Sequence, residues 1–557
     1  MCGIFAFLNN NYDEKTTRSL FMKGANRGPD ISNFYYNWKP GINASIGFHR
    51  LAINGYNNTP SDQPFNIDGC MLICNGEIYN WKEIYKMLDV IPTTKSDCEV
   101  IIHLYRKYGI EYTLQLLDGV FAFILFDEKE RKLYVARDLY GVRPMFTGKT
   151  YNNTIYVNHM FASEMKQLVT KDATKISPFP PGCFMEFECD KYINVFTFNK
   201  MTQFADVPSI INYEYRELYT AADKRKCEAV KNGYHNMVYD ALYNAVKKRV
   251  DNTDRDICCL LSGGLDSSLI TALVNKYYKE KYPNKKLHTW SIGMRGSEDL
   301  GYAKKVANFL ETIHHEIELD KSDFLDAIPQ VIHDIESYDT TTVRASVGNW
   351  LISKYIKENS DAKVVFNGDG SDEVTGGYLY FHYAKNCMDF DKECKRLLSD
   401  IHLFDVLRSD RSISSHGLEA RTPFLDKNFV QTYLSIPIQL RDHNAQGVCE
   451  KYLLRKSFDG RNLLPHEVLW RKKEAFSDGV SSDKEAWFET IQKQHKNEKQ
   501  YYKNIFNTYY RKNEHVIPYY WMPRFVEAKD ASARTLDIYN KSSNIAGNKF
   551  ENAYSVA

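Results

Sequence analysis

Ile257-Cys-Cys-Leu-Leu-Ser-Gly-Gly-Leu-Asp-Ser-Ser268 reads as an apolar strand, a glycine turn and the start of a helix. Two glycines and the hydroxyls of Ser262, Ser267 and Ser268 fall together at the helix N-terminus. Free N–H groups, the positive end of the helix dipole and O–H donors there converge into an anion cradle. The loop is not the G-x-x-x-x-G-K-[ST] phosphate loop. Outward from it the rhythm is strand–helix. A helical stretch runs from Ala229 to Val250, and helix Asp266–Tyr278 follows the loop. Strand Thr289–Gly293, helix Leu300–Leu310, strand Thr312–Leu319, helices to about Lys357 and strand Val364–Phe366 come next. That alternation predicts a doubly wound parallel sheet with ligands at the carboxyl ends of its strands, an α/β domain whose part beyond residue 400 is mostly helical.

The first 200 residues have another rhythm. Gly3–Leu8, Ser45–Arg50, Met71–Cys74, Val120–Phe126, Lys132–Arg137 and Thr154–Ala162 are apolar or alternating runs of strand length, and Trp81–Leu88 and Glu99–Tyr108 are helical. Strands in runs predict antiparallel sheets with helices packed on them, an α+β domain. The polar stretch Gln203–Tyr213 reads as a linker, which sets expected domains of 1–205 and 206–545 and a flexible tail over 546–557.

Bulk properties exclude several classes. The 557 residues carry 72 Lys plus Arg against 71 Asp plus Glu, a net charge of +1, without the basic excess of a nucleic-acid or anionic-membrane binder. No apolar run approaches the roughly 18 residues of a membrane span, and no signal peptide opens the chain, so a cytoplasmic location is expected. The twelve cysteines show neither a disulfide framework nor the paired C-x₂-C of a zinc site. Cys2 stands apart, because only Met1 precedes it. Once Met1 is removed, an α-amine of pKa about 7.7–8.0 sits beside the thiol as its own general base.

Alone, a Met-Cys start is ordinary. Here it is followed in order by Arg27-Gly-Pro-Asp30, His49-Arg-Leu-Ala-Ile53, Asn75-Gly-Glu-Ile-Tyr-Asn80, Ser96-Asp-Cys-Glu-Val100, Asp118-Gly-Val-Phe-Ala-Phe123 and Arg137-Asp-Leu-Tyr-Gly-Val-Arg-Pro144. Together these resemble the glutaminase domain of the N-terminal-nucleophile (class II) glutamine amidotransferases, a layered αββα fold. The resemblance implies Cys2 as nucleophile, with the Asn75 amide and the Gly76 N–H as oxyanion donors. It places glutamine against Arg50, Leu51, Ala52, Ile53, Asn54, Asn75, Gly76, Glu77 and Asp97. Arg50 would take the α-carboxylate in a bidentate fork, and Glu77 and Asp97 the α-ammonium.

The S-G-G-x-D-S-S loop resembles that of the ATP pyrophosphatases, which split ATP between the α and β phosphates. Ser291-Ile-Gly-Met294, Tyr338-Asp-Thr-Thr-Thr-Val-Arg-Ala-Ser346, Gly368-Asp-Gly-Ser-Asp-Glu373, Gly417-Leu-Glu-Ala-Arg-Thr-Pro-Phe-Leu-Asp426, Arg471-Lys-Lys-Glu-Ala-Phe-Ser-Asp-Gly479, Tyr520-Trp-Met-Pro523 and Ser532-Ala-Arg-Thr535 extend the likeness. With both halves included, nearly the whole chain resembles the glutamine-hydrolysing asparagine synthetases. That resemblance implies ATP against Leu260, Ser262, Gly263, Gly264, Asp266, Ser267, Ser268, Ile292, Asn367 and Gly368, with Mg²⁺ on Asp266 and Asp372. It puts Arg344 beside aspartate and the phosphates, Lys473 at the adenylation centre, and Asp369 as a base toward ammonia. Glutamine, aspartate and ATP are the implied partners, with no nucleic acid or membrane, and a homodimer is a further expectation.

The pattern departs at Asn367-Gly-Asp-Gly370, where the family commonly has Ser-Gly-Glu-Gly; Asp369 is one methylene shorter than that glutamate. An impaired or regulatory ATP- and glutamine-binding relative is the alternative those two positions support. A β-lactam-forming ligase on the same two domains is disfavoured by Cys2, Arg50, Asn75 and Asp97.

Overall fold

The computed structural model describes residues 1–39, 41–151, 156–171, 175–207, 224–481 and 485–539. Most of the expected linker and all of the expected tail lie outside the described residues. The first half holds two antiparallel six-stranded sheets. One runs β10 (Ser177–Pro178), β8 (Phe146–Thr150), β9 (Asn158–Ala162), β1 (Gly3–Leu8), β3 (Ala44–Arg50), β2 (Ile31–Tyr35). The other runs β12 (Phe196–Gln203), β11 (Cys183–Cys189), β7 (Lys132–Arg137), β6 (Gly119–Asp127), β5 (Cys70–Ile78), β4 (Phe65–Ile67).

The period of two decides which residues face which layer. Ile4, Ala6 and Leu8 of β1 meet Ile73, Ala122, Ile124 and Val135 of the opposing sheet in one core between the sheets. Their sequence neighbours point outward. Phe5 and Phe7 pack with Leu20 and Phe21 of helix Glu14–Met22, and Leu72, Phe121, Phe123 and Leu125 pack under helices Trp81–Leu88 and Val100–Leu116. The result is the expected αββα layering. The helix expected to end at Tyr108 does break there, since Gly109 takes φ 75°, and helix then resumes to Leu116. Helix Glu14–Met22 and strands β2, β4, β8, β11 and β12 carry too little apolar alternation to be foreseen; β12 is an edge strand exposed along most of its length.

The second half holds a parallel five-stranded sheet ordered β15 (Ile313–Leu319), β14 (His288–Met294), β13 (Ile257–Leu260), β16 (Val364–Phe366), β17 (Glu419–Arg421). Strand order reverses about β13, so the crevice expected of such a sheet opens at the carboxyl ends of β13, β14 and β16. Adjacent Cys258 and Cys259 are buried on opposite faces, and burial pushes the Cys258 thiol up to about 12. The eleven cysteines whose side chains are described are all free. No described helix is long and apolar enough to cross a membrane.

The two halves meet through buried charge. Glu77 pairs with Arg421 (3.2 Å), Arg421 with Glu419 (2.9 Å), Glu419 with Arg143 (3.5 Å) and Arg143 with Asp410 (3.6 Å). Asp410 pairs with Arg27 (2.9 Å), Arg27 with Glu164 (3.7 Å) and Glu164 with Lys166 (3.0 Å). Signs alternate along the whole chain, and each member is nearly or fully buried. Breaking a buried pair from one side costs about 3–5 kcal/mol because a charge is stranded. Arg421→Ala removes the ion-pair partner of Glu77 and leaves Glu419 with Arg143, so a loss of about that size is expected in urea unfolding. A loss below about 1 kcal/mol would show that the seam carries little of the domain docking.

Candidate active sites

Residues 2, 50–54, 75–77 and 97 gather at one end of the two antiparallel sheets. Cys2, at the start of β1, packs against the inter-sheet core, and its thiol donates to the Leu51 carbonyl at 3.5 Å. Burial pushes that thiol up to about 11. Arg50 ends β3, donates to the carbonyls of Asn54 (3.0 Å) and Gly55 (2.9 Å) and pairs with Asp62, so the 51–55 loop curls round its guanidinium. The Ala52 N–H donates to Asp30 (2.8 Å), and the Asn54 amide donates to Glu77 (2.9 Å). Asp97 accepts from the Ile78 N–H at 2.6 Å.

Asn75 is buried, and its Nδ2 has no hydrogen-bond partner. A buried amide donor left open in this way is poised for an oxyanion. Gly76 has a steric reason to be glycine: a Cβ there would lie 2.6 Å from the Val120 carbonyl oxygen. Burial, with Glu419 and Asp97 nearby, pushes Glu77 well above the usual carboxylate range against the pull of Arg421. Burial likewise raises Asp97, opposed by the Ile78 N–H and the Asn252 amide. Met1 is fully buried, with its α-amine donating to the Leu418 carbonyl at 2.9 Å and its sulfur against Arg27 and Arg143.

The second site is the crevice at the switch point. Leu260, Ser262, Gly264, Asp266, Ser267, Ile292, Asn367, Gly368, Asp369, Asp372 and Lys473 all line it. Ser262 and Ser267 hydroxyls lie 3.0 Å apart at the loop. Three expected residues do not line the cavity. Gly263, at φ 76°, turns the loop tightly against helix Glu298–Leu310, where a Cβ would lie 2.5 Å from Tyr302 and Ala303. Ser268 is fully buried behind the loop. Arg344 is buried too, its guanidinium engaged by Glu498 (2.8 Å) and by both oxygens of Asp530 (2.7 and 2.9 Å).

Lysines stand between the cavity's acids. Lys451 Nζ lies 2.6 Å from both Asp266 and Asp372, and Lys473 Nζ lies 2.6 Å from Asp372. Burial opposes the Asp372 charge, but Lys451 and Lys473 hold it well below the carboxylate range. Burial also opposes the Lys473 ammonium, and Asp372 and Asp266 more than offset it. Asp369 pairs through Oδ1 with Arg408 at 2.7 Å, while its buried Oδ2 has no partner. Asp266, Asp372 and the Ser371 hydroxyl are hard oxygen donors of the kind Mg²⁺ takes beside phosphate oxygens and water. Among the described residues no group of three or more His, Cys, Asp or Glu side chains is arranged to hold a metal ion by itself.

Sequence reasoning missed Lys451 and Arg408, which carry no motif, and the residues that cross between halves, Asn252, Asp254, Arg255 and Arg421. Only the fold brings those beside the glutaminase motifs.

An N-terminal-nucleophile sandwich joined to a parallel sheet with a pyrophosphatase-type loop defines the class: a two-site amidotransferase. The glutamine amidotransferase domain family matches residues 1–204, and the asparagine synthase family matches residues 237–390 and 384–533. The chain is 41% identical over 582 residues to the glutamine-hydrolysing asparagine synthetase of Gallus gallus, covering 97% of this chain and 100% of that one. It is 41% identical over 575 residues to that of Homo sapiens, again covering 97% and 100%. Among solved structures, the glutamine phosphoribosylpyrophosphate amidotransferase of B. subtilis aligns over 50% of this chain and 64% of its own, at 19% identity and a TM-score of 0.30. The chain belongs to the family of glutamine-hydrolysing asparagine synthetases.

Gly377 tests the lysine arrangement, since a Cβ there would lie 1.9 Å from Lys451 Cε and 2.3 Å from Asp372. Gly377→Ala is expected to displace Lys451 and cost about 1–3 kcal/mol of stability. The stabilisation that ATP–Mg²⁺ gives in thermal unfolding should shrink as well. An unchanged nucleotide-dependent shift would remove Lys451 from the phosphate-facing wall.

Proposed function

We propose that this chain forms asparagine from aspartate, glutamine and ATP, releasing glutamate, AMP and pyrophosphate. The observation that carries the reading is the cavity at the switch point, where the 260–267 loop faces Asp369, Asp372 and Lys473, in a chain that also presents Cys2 with an open Asn75 donor. We take 1–205 as the glutaminase domain and 206–545 as the synthetase domain, acting in the cytoplasm as a homodimer on small molecules alone.

In the first site, loss of Met1 frees the Cys2 amine to accept the thiol proton, and the thiolate attacks the glutamine amide. Asn75 Nδ2 and the Gly76 N–H hold the oxyanion as the thioester forms and ammonia leaves; water then hydrolyses the thioester, releasing glutamate and restoring the Cys2 thiol. Arg50 takes the α-carboxylate, exchanging its Asp62 contact for the substrate's, and Glu77 and Asp97 take the α-ammonium. Neutral ammonia crosses the interior without the cost of burying a charge.

In the second site, the N–H groups and hydroxyls of the 262–267 loop receive the phosphates at the helix N-terminus. The aspartate β-carboxylate attacks the α-phosphorus, and pyrophosphate leaves toward Lys451 and Lys473. Mg²⁺, held by Asp266 and Asp372, supplies charge neutralisation for the phosphates when bound. Asp369, with its open Oδ2, accepts a proton from the ammonia that attacks the β-aspartyl adenylate. Arg344, saturated by Glu498 and Asp530, shapes the wall from behind, and its substrate contact would require one of those partners to give way.

With aspartate, ATP–Mg²⁺ and amide-¹⁵N glutamine, purified protein should yield labelled asparagine, AMP and pyrophosphate, and its intact mass should show Met1 removed. Cys2→Ala should make asparagine from ammonia alone. No asparagine from either nitrogen source would overturn the reading. Asp369→Asn should lower asparagine formation from both donors by about 10²–10⁴-fold. Aspartate-dependent exchange of pyrophosphate into ATP should persist in that variant. Parallel loss of the exchange would place Asp369 in nucleotide binding instead.

A further inference from the structure

The glutamine site is closed by a side chain from the other half of the molecule. Asn252 follows helix Lys224–Asp251 and precedes β13, and it is buried. Its Oδ1 accepts from the Trp81 indole N–H at 2.8 Å. An indole nitrogen only donates, so this contact assigns the amide: Nδ2 must point the other way. There it donates to Glu77 Oε2 at 2.6 Å and to Asp97 Oδ2 at 3.2 Å. One NH₂ group thus spans the two carboxylates expected to receive the substrate's α-ammonium.

The segment carrying Asn252 is strapped to the glutamine loop by backbone. The Asp254 N–H donates to the Ile53 carbonyl (2.9 Å), and the Gly55 N–H donates to the Asp254 carboxylate (2.9 Å). Arg255 donates to the Ala52 carbonyl (3.1 Å), pairs with Asp30 (3.7 Å) and stacks on Tyr56, 4.1 Å from the ring centre. These contacts fix the height and angle at which Asn252 enters. Without it, Asp97 keeps the Ile78 N–H, Glu77 keeps Asn54 and Arg421, and nothing ties the two like charges to each other.

We propose that Asn252 is a positioning residue for glutamine recognition, supplied by the synthetase half, which holds Glu77 and Asp97 as a paired acceptor for the α-ammonium. The proposal rests on the reading of residues 1–205 as a glutaminase. It makes the site selective for an amino-acid amide over a plain carboxylic amide, and it makes that selectivity depend on a segment that leads within eight residues into the nucleotide loop at Leu260.

The test uses the full-length protein with Asn252→Ala and with Asn252→Leu, which fills similar space but has no donor. Hydrolysis of glutamine is compared with that of glutaric acid monoamide, which lacks the α-amine, and ammonia-dependent asparagine formation reports folding. For either folded variant, kcat/KM for glutamine should fall about tenfold or more, mainly through KM. For the monoamide it should change less than about threefold. Equal loss on both substrates would mean a merely structural role, and unchanged glutamine kinetics in either folded variant would mean none; each overturns the proposal. Failure of the wild-type protein to hydrolyse glutamine would overturn the glutaminase reading and the proposal together. Hydrolysis by the wild type with unaltered variants overturns the positioning role alone.

Discussion

The alternating ion chain from Glu77 to Lys166 is the constraint on which the rest of the structure depends. Glu77, Glu419, Asp410 and Glu164 face Arg421, Arg143, Arg27 and Lys166, all of them nearly or fully buried. Such charges tolerate burial only when each has its partner, and here the partners come from both halves. Arg421 shows how short the path is. Its guanidinium holds Glu77 at one site, while its backbone carbonyl accepts from the Asn367 N–H at the other (3.1 Å). A three-residue strand therefore touches both chemistries.

The cavity at the switch point follows a related logic, its acids matched by lysines. Lys451 and Lys473 pair with Asp266 and Asp372, so the cavity's acids carry their own counter-ions. Lys451 reaches that position from a left-handed backbone, φ 59°, just ahead of helix Tyr452–Phe458. Strain of this kind at a non-glycine residue is tolerated where the surroundings over-determine it, and two carboxylates at 2.6 Å do so.

Much of this was legible in the chain. The strand–loop–helix at 257–268 and the strand–helix rhythm after it announce the parallel sheet, and β7 and β16 fall on the runs that signalled them. The motif residues around Cys2, Arg50, Asn75 and Asp97 do gather: Cys2 precedes β1, Arg50 ends β3, Asn75 lies within β5, and Asp97 is held to the end of β5 by the Ile78 N–H. β17 was not legible as a strand: Glu-Ala-Arg lies in a family motif but has no apolar alternation, and its two charges are inside because the seam pairs them. Arg344 reads as a substrate ligand by motif, but the carboxylates that occupy it, Glu498 and Asp530, lie more than 150 residues downstream. Asn252 had no signal at all, since nothing local distinguishes a turn after a helix from one that completes a distant site.

The strap at 252–255 bears on how such a molecule is divided by descent. By sequence continuity Asn252, Asp254 and Arg255 belong with the 260–267 loop; by contact they belong with Glu77, Gly55 and Ala52 of the first half. A recombination event that joined the front half of one lineage to the back half of another would part Glu77 and Asp97 from the residue matched to them, however clean the junction near residue 205. Substitutions at Trp81 or Asp97 should be accompanied, in other lineages, by substitutions at the turn before β13.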